Sequence, residues 1–183
     1  MIHILEEAPN HIGAREALLD QSFGLDRHLK TSERLREGRL PAFAYSALDD
    51  DERLVGTVRL WSIADEAGSP SLMLGPIAVE KGLQGQRIGD RLMRHALHQV
   101  AHAGNGSIVL VGDYAYYARF GFAQGLLDQA TLPGPLERDR FLGIEFVPGH
   151  LAALKGCLNG TGAIDPAAIQ HVDPEFMQVF KTV

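Results

Sequence analysis

The stretch from Gly75 to Ala103 leaves this chain the fewest choices of fold. Ile77 and Val79 are β-formers, Gly82, Gly85 and Gly89 punctuate a loop, and a long helical run follows. In that run Ile88, Leu92, Met93, Ala96, Leu97, Val100 and Ala103 share one face. Arg91, Arg94, His95, His98 and His102 share the other. This spacing predicts an amphipathic helix that lays its apolar stripe on a sheet. Gly104 is placed to stop it. Gly75-Pro76 signals a bulge or a splayed edge, because proline donates nothing to a ladder. The loop and first helical turn offer free N–H groups and the positive end of the helix dipole, an anion site suited to phosphate. From the glycines alone an ordinary strand-to-helix turn is the simpler explanation. A Walker loop is excluded because no Gly-Lys-Ser/Thr follows, and G-x-G-x-x-G fails in spacing.

The rest of the chain supplies a sheet for that helix. Ile2–Glu6 is a short strand candidate, and His11–Phe23 has helical spacing in Ile12, Ala17, Leu18 and Leu19. Asp26–Arg36 reads as a second, more charged helix ended by Gly38. Pro41–Leu48 and Leu54–Ile63 are β-rich and separated by Asp49-Asp50-Asp51-Glu52, an acidic run typical of a solvated hairpin turn. Ser71–Val79 is the next strand, Ile108–Val111 a short buried one, and Tyr114–Arg119 a short helix. Phe120-Gly121-Phe122 leads into a strand to about Leu127, Gln129–Asp139 is a loop, and Arg140–Val147 is a last strand interrupted by Gly143. Strands, one crossover helix, then strands describe an α/β (α+β) domain: a mixed sheet with helices on its faces. The expected division is one domain over residues 1–158 and a C-terminal extension over 159–183, weakly apolar at Phe176–Val183.

Composition narrows the function classes. A formal charge of -6 argues against a general nucleic-acid binder, which carries a basic stripe. The single Cys157 excludes an internal disulfide framework and a multi-cysteine zinc site, and no His-Asn/Asp pattern marks it as a nucleophile. His95, His98 and His102 share a face, but that face is opposite the apolar stripe and lacks the fixed surroundings of a metal centre, so no metal is expected. No apolar run approaches the ~20 residues that span a bilayer. Met1–Glu7 lacks the layout of a signal peptide. A cytoplasmic protein without membrane or nucleic-acid partners is the expectation.

Two segments carry a family resemblance. Gln84-Gly85-Gln86-Arg87-Ile88-Gly89 resembles the acyl-CoA pyrophosphate loop of the GCN5-related N-acetyltransferase (GNAT) family, Q/R-x-x-G-x-G/A, preceded by a strand like Ile77-Ala78-Val79. Arg87 stands where the pattern has its middle glycine. Ala115-Tyr116-Tyr117-Ala118-Arg119-Phe120-Gly121-Phe122 resembles the family's Y-x-x-x-G-F segment, with Tyr117 four residues before Gly121 at the usual general-acid position. The run from Val111 to Phe122 is similar to the YhbS-like branch, and the resemblance spans roughly Leu54–Val147. Tyr116, Phe120 and Phe122 are read as core aromatics.

The resemblance implies a largely antiparallel central sheet splayed at the acyl-CoA site, with helices on both faces. It implies an acetyl-CoA-dependent N-acetyltransferase whose partners are acetyl-CoA and an amine; a homodimer is compatible with it. Ile77, Ala78, Val79, Gln84, Gly85, Gln86, Arg87, Ile88, Gly89 and Asp90 are the expected cofactor residues. A backbone N–H near Val79 would stabilise the oxyanion, and Tyr117 would protonate the leaving thiolate. Some relatives use a strand Glu as general base, but Ser71–Pro76 holds no carboxylate, Glu80 alternates away, Asp113 reads as a cap and Arg119 as a surface cation. Arg87, in the first turn of a right-handed helix, is expected to have negative φ and to be tolerated. Two rivals stay open: a non-catalytic acyl-CoA-binding module on the same fold, and an interaction domain in which the glycine loop is only a turn.

Overall fold

Strand-forming residues in the first half pair with their sequence neighbours, because hairpin turns separate them. The computed structural model describes residues 1–169. Strands β1 (His3–Glu6), β2 (Phe43–Leu48), β3 (Leu54–Ala64) and β4 (Pro70–Val79) form an antiparallel meander, with α1 (Ile12–Phe23) inserted between the first two. The acidic run is the expected turn: the Asp49 carboxylate accepts from the N–H groups of Asp51 and Arg53 at 3.1 and 2.9 Å. Helix α2 (Ile88–His102) then crosses over the sheet, so β5 (Ser107–Val111) lies parallel to β4, as a crossover connection allows. Helix α3 (Tyr114–Tyr117) follows, and two-residue β6 (Ala130–Thr131) precedes β7 (Phe141–Glu145), which pairs antiparallel with β5. Short β8 (Gly156–Cys157) joins β6 in a separate small sheet, β9 (Asn159–Gly160) pairs with the end of β3, and α4 (Pro166–Ile169) closes the described chain. The main sheet runs β1-β2-β3-β4-β5-β7, with β9 set beside β3 just beyond the start of β2.

The alternation of each strand feeds two layers. On one face Leu72, Leu74, Ile108, Leu110 and Leu142 meet Ile88, Leu92, Met93, Ala96 and Val100 of α2. This is the predicted stripe, except that Ala103 is exposed. On the other face Trp61, Ile63, Met73, Val109 and Phe141 meet Leu127, Leu132, Leu151 and Leu154 from the connecting segments, while Leu18 and Leu19 of α1 pack on Leu48, Leu54 and Ala78. Each Å² of apolar surface removed from water contributes ~25 cal/mol, and this drives both layers together.

Two expected elements are replaced. Asp26–Arg36 is not one helix but two 3₁₀ segments, Leu25–Leu29 and Thr31–Leu35, parted at extended Lys30. Its leucines do not form a stripe: Leu25 and Leu29 are 79% and 84% exposed while Leu35 is buried. The segment is held instead by ions, with Arg27 Nε 2.7 Å from Asp20 and Arg36 Nη2 2.6 Å from Glu33. Nor does a strand follow Phe122. Gly121 turns the chain at φ 96°, Phe122 plugs the core, and only Ala123 bridges to Gly143. Phe176–Val183 lies outside the described residues.

Candidate active site

The site originates in a failure of pairing. Parallel β4 and β5 pair only through Leu72–Ile108 and Met73–Val109, and beyond Met73 the two strands part. On its other side β4 stays on β3 through a register shift between Val58 and Leu60. This is the splayed sheet that Gly75-Pro76 signalled. The Glu80 N–H donates to Val55 O at 2.9 Å, and antiparallel ladders alternate bonded with non-bonded pairs. Val79–Gly56 and Ile77–Val58 are therefore non-bonded pairs, and the N–H and C=O groups of Ile77 and Val79 turn away from β3 into the gap. The Gln84 amide reaches back to Val79 O at 3.4 Å.

A cleft of about 680 Å³ occupies that gap. Its walls include Ile77, Ala78, Val79, Gln84, Gly85, Arg87, Ile88, Gly89, Asp90 and Tyr117, all sequence candidates. Gln86 is the candidate that stays out: it is exposed, and its N–H is spent on Leu83 O at 3.4 Å. The first N–H groups of α2 have no acceptor within the helix and face an anion readily. Asp90 in this turn is offset by Arg94 at 3.0 Å, with Arg119 4.0 Å away.

The expectation for Arg87 is corrected. It is the N-cap of α2 with φ 63° and ψ 16°, in the left-handed region, and its side chain makes no capping bond. The chain needs that conformation to swing from the loop into the helix, which is why a residue without Cβ suits the position.

Four wall residues escaped the sequence reading, Leu83 of the loop among them. Tyr116 is not a core aromatic; it is 37% exposed and lines the cleft. Arg119 is more than a surface cation, because it lies 4.3 Å from the Tyr116 ring centroid on the same wall. Arg94 joins them from the second turn of α2. The signal available was spacing: Arg119 follows Tyr116 by one helical turn.

Tyr117 lines the cleft, edge-on to Phe122 at 5.8 Å and to Tyr116 at 4.9 Å. Asp113 caps its helix, accepting from the Ala115 N–H at 2.9 Å. Gly112 leaves room for the ring; a Cβ there would lie 2.2 Å from Tyr117 Cε2. Burial, with a smaller push from Tyr116 and a small opposing pull from Arg140, raises the Tyr117 pKa to about 12. Glu80 is engaged by Arg53 at 2.8 Å. Among the described residues no group of three or more His, Cys, Asp or Glu is placed to hold a metal ion, and no helix is long and apolar enough to cross a membrane. His95 packs edge-on against Tyr45, and His98 stacks with His102.

The family model for the acetyltransferase (GNAT) family matches residues 5–122. The uncharacterised N-acetyltransferase YhbS of Escherichia coli (strain K12) is 32% identical over 118 residues, 63% of this chain and 70% of that protein. The crystal structure of Escherichia coli YhbS in complex with CoA superposes with a TM-score of 0.76 at 22% identity, covering 94% of this chain and 93% of that one. A GNAT family acetyltransferase from Brucella melitensis in complex with acetyl-CoA gives 0.62 at 23% identity, over 92% and 98% of the two chains. Sequence match and shared fold agree, and this chain belongs to the GNAT family of acetyltransferases.

Proposed function

We propose that this chain transfers an acetyl group from acetyl-CoA to a primary amine by direct attack. The observation that carries the reading is the gap between β4 and β5, with outward N–H groups at one side and a helix N-terminus at the other. The pyrophosphate rests on the amides of Gly85 and Arg87–Asp90, with Arg94 and Arg119 adding positive charge. The thioester lies along Ile77–Val79. The amine nitrogen forms a bond to the carbonyl carbon, the Val79 N–H holds the developing oxyanion, the carbon–sulfur bond then breaks, and solvent water takes the proton that the amine gives up. Tyr117 donates its O–H to the leaving sulfur. A tyrosine near pKa 12 is a weaker acid than a thiol at ~8.5, so this contact is a hydrogen bond to the thiolate more than a completed proton transfer. The thioester is already activated, and positioning supplies much of the rate.

The sequence boundary near Leu158 belongs to the same proposal: the acyltransferase domain ends there, and the extension begins with the strand that pairs on β3. The test is calorimetric titration with acetyl-CoA followed by CoA release from a panel of amines. Binding with turnover is expected. Binding without turnover of any amine would favour the non-catalytic module, and no binding at millimolar acetyl-CoA would refute the reading.

A further inference from the structure

Tyr117 and Ile77 wall a second cavity as well as the cleft, on the other side of the parted strands. It holds about 160 Å³, roughly five waters at ~30 Å³ each, which suits a small molecule. Three cations line it, Arg27, Lys30 and Arg36, and no carboxylate does. The carboxylates that hold two of them, Arg27 and Arg36, are not part of the lining. Arg27 donates to Asp20 at 2.7 Å and also to Glu16. Burial works against its charge, but the bonds to Asp20 and Glu16 outweigh burial and raise its pKa. Arg36 spends Nε and Nη2 on Glu33, each at 2.6 Å, while its Nη1 lies 3.9 Å from where a Cβ on Gly75 would stand. Lys30, with Nζ 5.1 Å from the Phe23 ring centroid, has no ion-pair partner among the described residues.

We infer that this cavity receives the acceptor, and that the acceptor is a small amine carrying a carboxylate or phosphate group. The inference rests on the transferase reading above and names its substrate class. An anionic group entering the pocket gains charge-assisted hydrogen bonds from the exposed Lys30 ammonium and from Arg36 Nη1, the nitrogen that Glu33 does not take. No carboxylate lines the cavity, so a protonated amine finds no ion partner there to hold it in that form. A polyamine or a lysine-rich peptide meets the opposite field and is disfavoured.

Matched pairs test this: a 2-amino acid against its carboxamide, and an aminoalkyl phosphate against the parent amino alcohol. Two readings are taken, kcat/KM for CoA release and, independently of turnover, the Kd of each compound for CoA-saturated protein by calorimetry. The charged member of at least one pair should win by about 10- to 100-fold in both, the range of a charge-assisted hydrogen bond. Which pair shows the larger ratio distinguishes carboxylate from phosphate. Lys30→Gln should shrink that ratio while keeping the Kd for acetyl-CoA. Lys155→Gln, at the far end of the sheet, should keep both. If acetyl-CoA binds and the pair members are equal, or the uncharged or polycationic amines win, this inference is overturned and the transferase reading stands. If acetyl-CoA does not bind at all, the reading and this inference fall together.

Discussion

Replacing Arg87 by glycine should stabilise this protein, although it removes a charged side chain beside an anion site. Arg87 sits at φ 63°, a conformation that costs an L-residue roughly 1–2 kcal/mol and costs glycine little. Glycine gives back about 0.4–1 kcal/mol through the greater freedom of the unfolded chain. Few contacts are lost, since the Arg87 side chain is exposed and makes no capping bond. The net gain is about 0 to 1.5 kcal/mol, or up to roughly 6 °C in Tm for a chain of this size. Arg87→Ala separates the backbone from the charge, because alanine loses the guanidinium but keeps the Cβ at positive φ. Thermal unfolding of the ligand-free protein should rank Arg87→Gly above wild type and Arg87→Ala near it. The acetyl-CoA Kd of both variants should stay within about tenfold of wild type, because an exposed cation contributes at most ~1 kcal/mol. Equal melting temperatures for the two variants, or a glycine variant destabilised by more than about 1 kcal/mol, would refute the strain argument.

If Tyr117 acts through a hydrogen bond to the thiolate, Tyr117→Phe should lower kcat by about 10- to 100-fold with acetyl-CoA binding nearly intact; a loss beyond ~10³ would mean full proton transfer instead. Its raised pKa has a stability consequence: between pH 10 and about 12 the unfolded chain releases the phenolic proton first, so stability falls as pH rises through that window. Tyr117→Phe should remove up to roughly 2 kcal/mol of that alkaline loss, seen in urea melts at pH 9 and 11.5; identical slopes would place the ring in water. Gly112→Ala drives a methyl into Tyr117, so it should cost about 1–3 kcal/mol and slow turnover as Tyr117→Phe does, with the double variant little worse than either; additive effects would mean the ring has room to move.

The legible parts of this fold were those where one periodicity decided the outcome. The stripe Ile88, Leu92, Met93, Ala96 and Val100 is buried as its spacing requires. Gly75-Pro76 marked the parting of the sheet because proline has no ladder donor. Asp26–Arg36 was misread because its residues favour helix one by one, while Leu25 and Leu29 find no core to face. Phe120-Gly121-Phe122 alternates like a strand, yet Gly121 at φ 96° breaks the extension. Within the site, the loop was legible because its residues are contiguous. Tyr116 and Arg119 come from a separate helix, and the cavity of Arg27, Lys30 and Arg36 is assembled from segments far from β4 in sequence. Only packing brings those together. The sign of φ at Arg87 depended on whether the residue lay inside the helix or one step before it, a boundary that sequence places least well.

The parting of β4 from β5 also gives one strand two kinds of amide. Ala78 and Glu80 point at β3, and their protons are locked for as long as the meander stays folded. Ile77 and Val79 point into the gap, and their protons meet solvent as those of a loop would, though they lie inside a strand of a well-packed sheet. Deuterium exchange therefore has a period of two along this stretch, slow and fast residue by residue. An occupant that accepts from the outward pair converts the alternation into uniform protection. Strand β4 thus reports on its own occupancy, and it does so through backbone protons that no side-chain substitution removes.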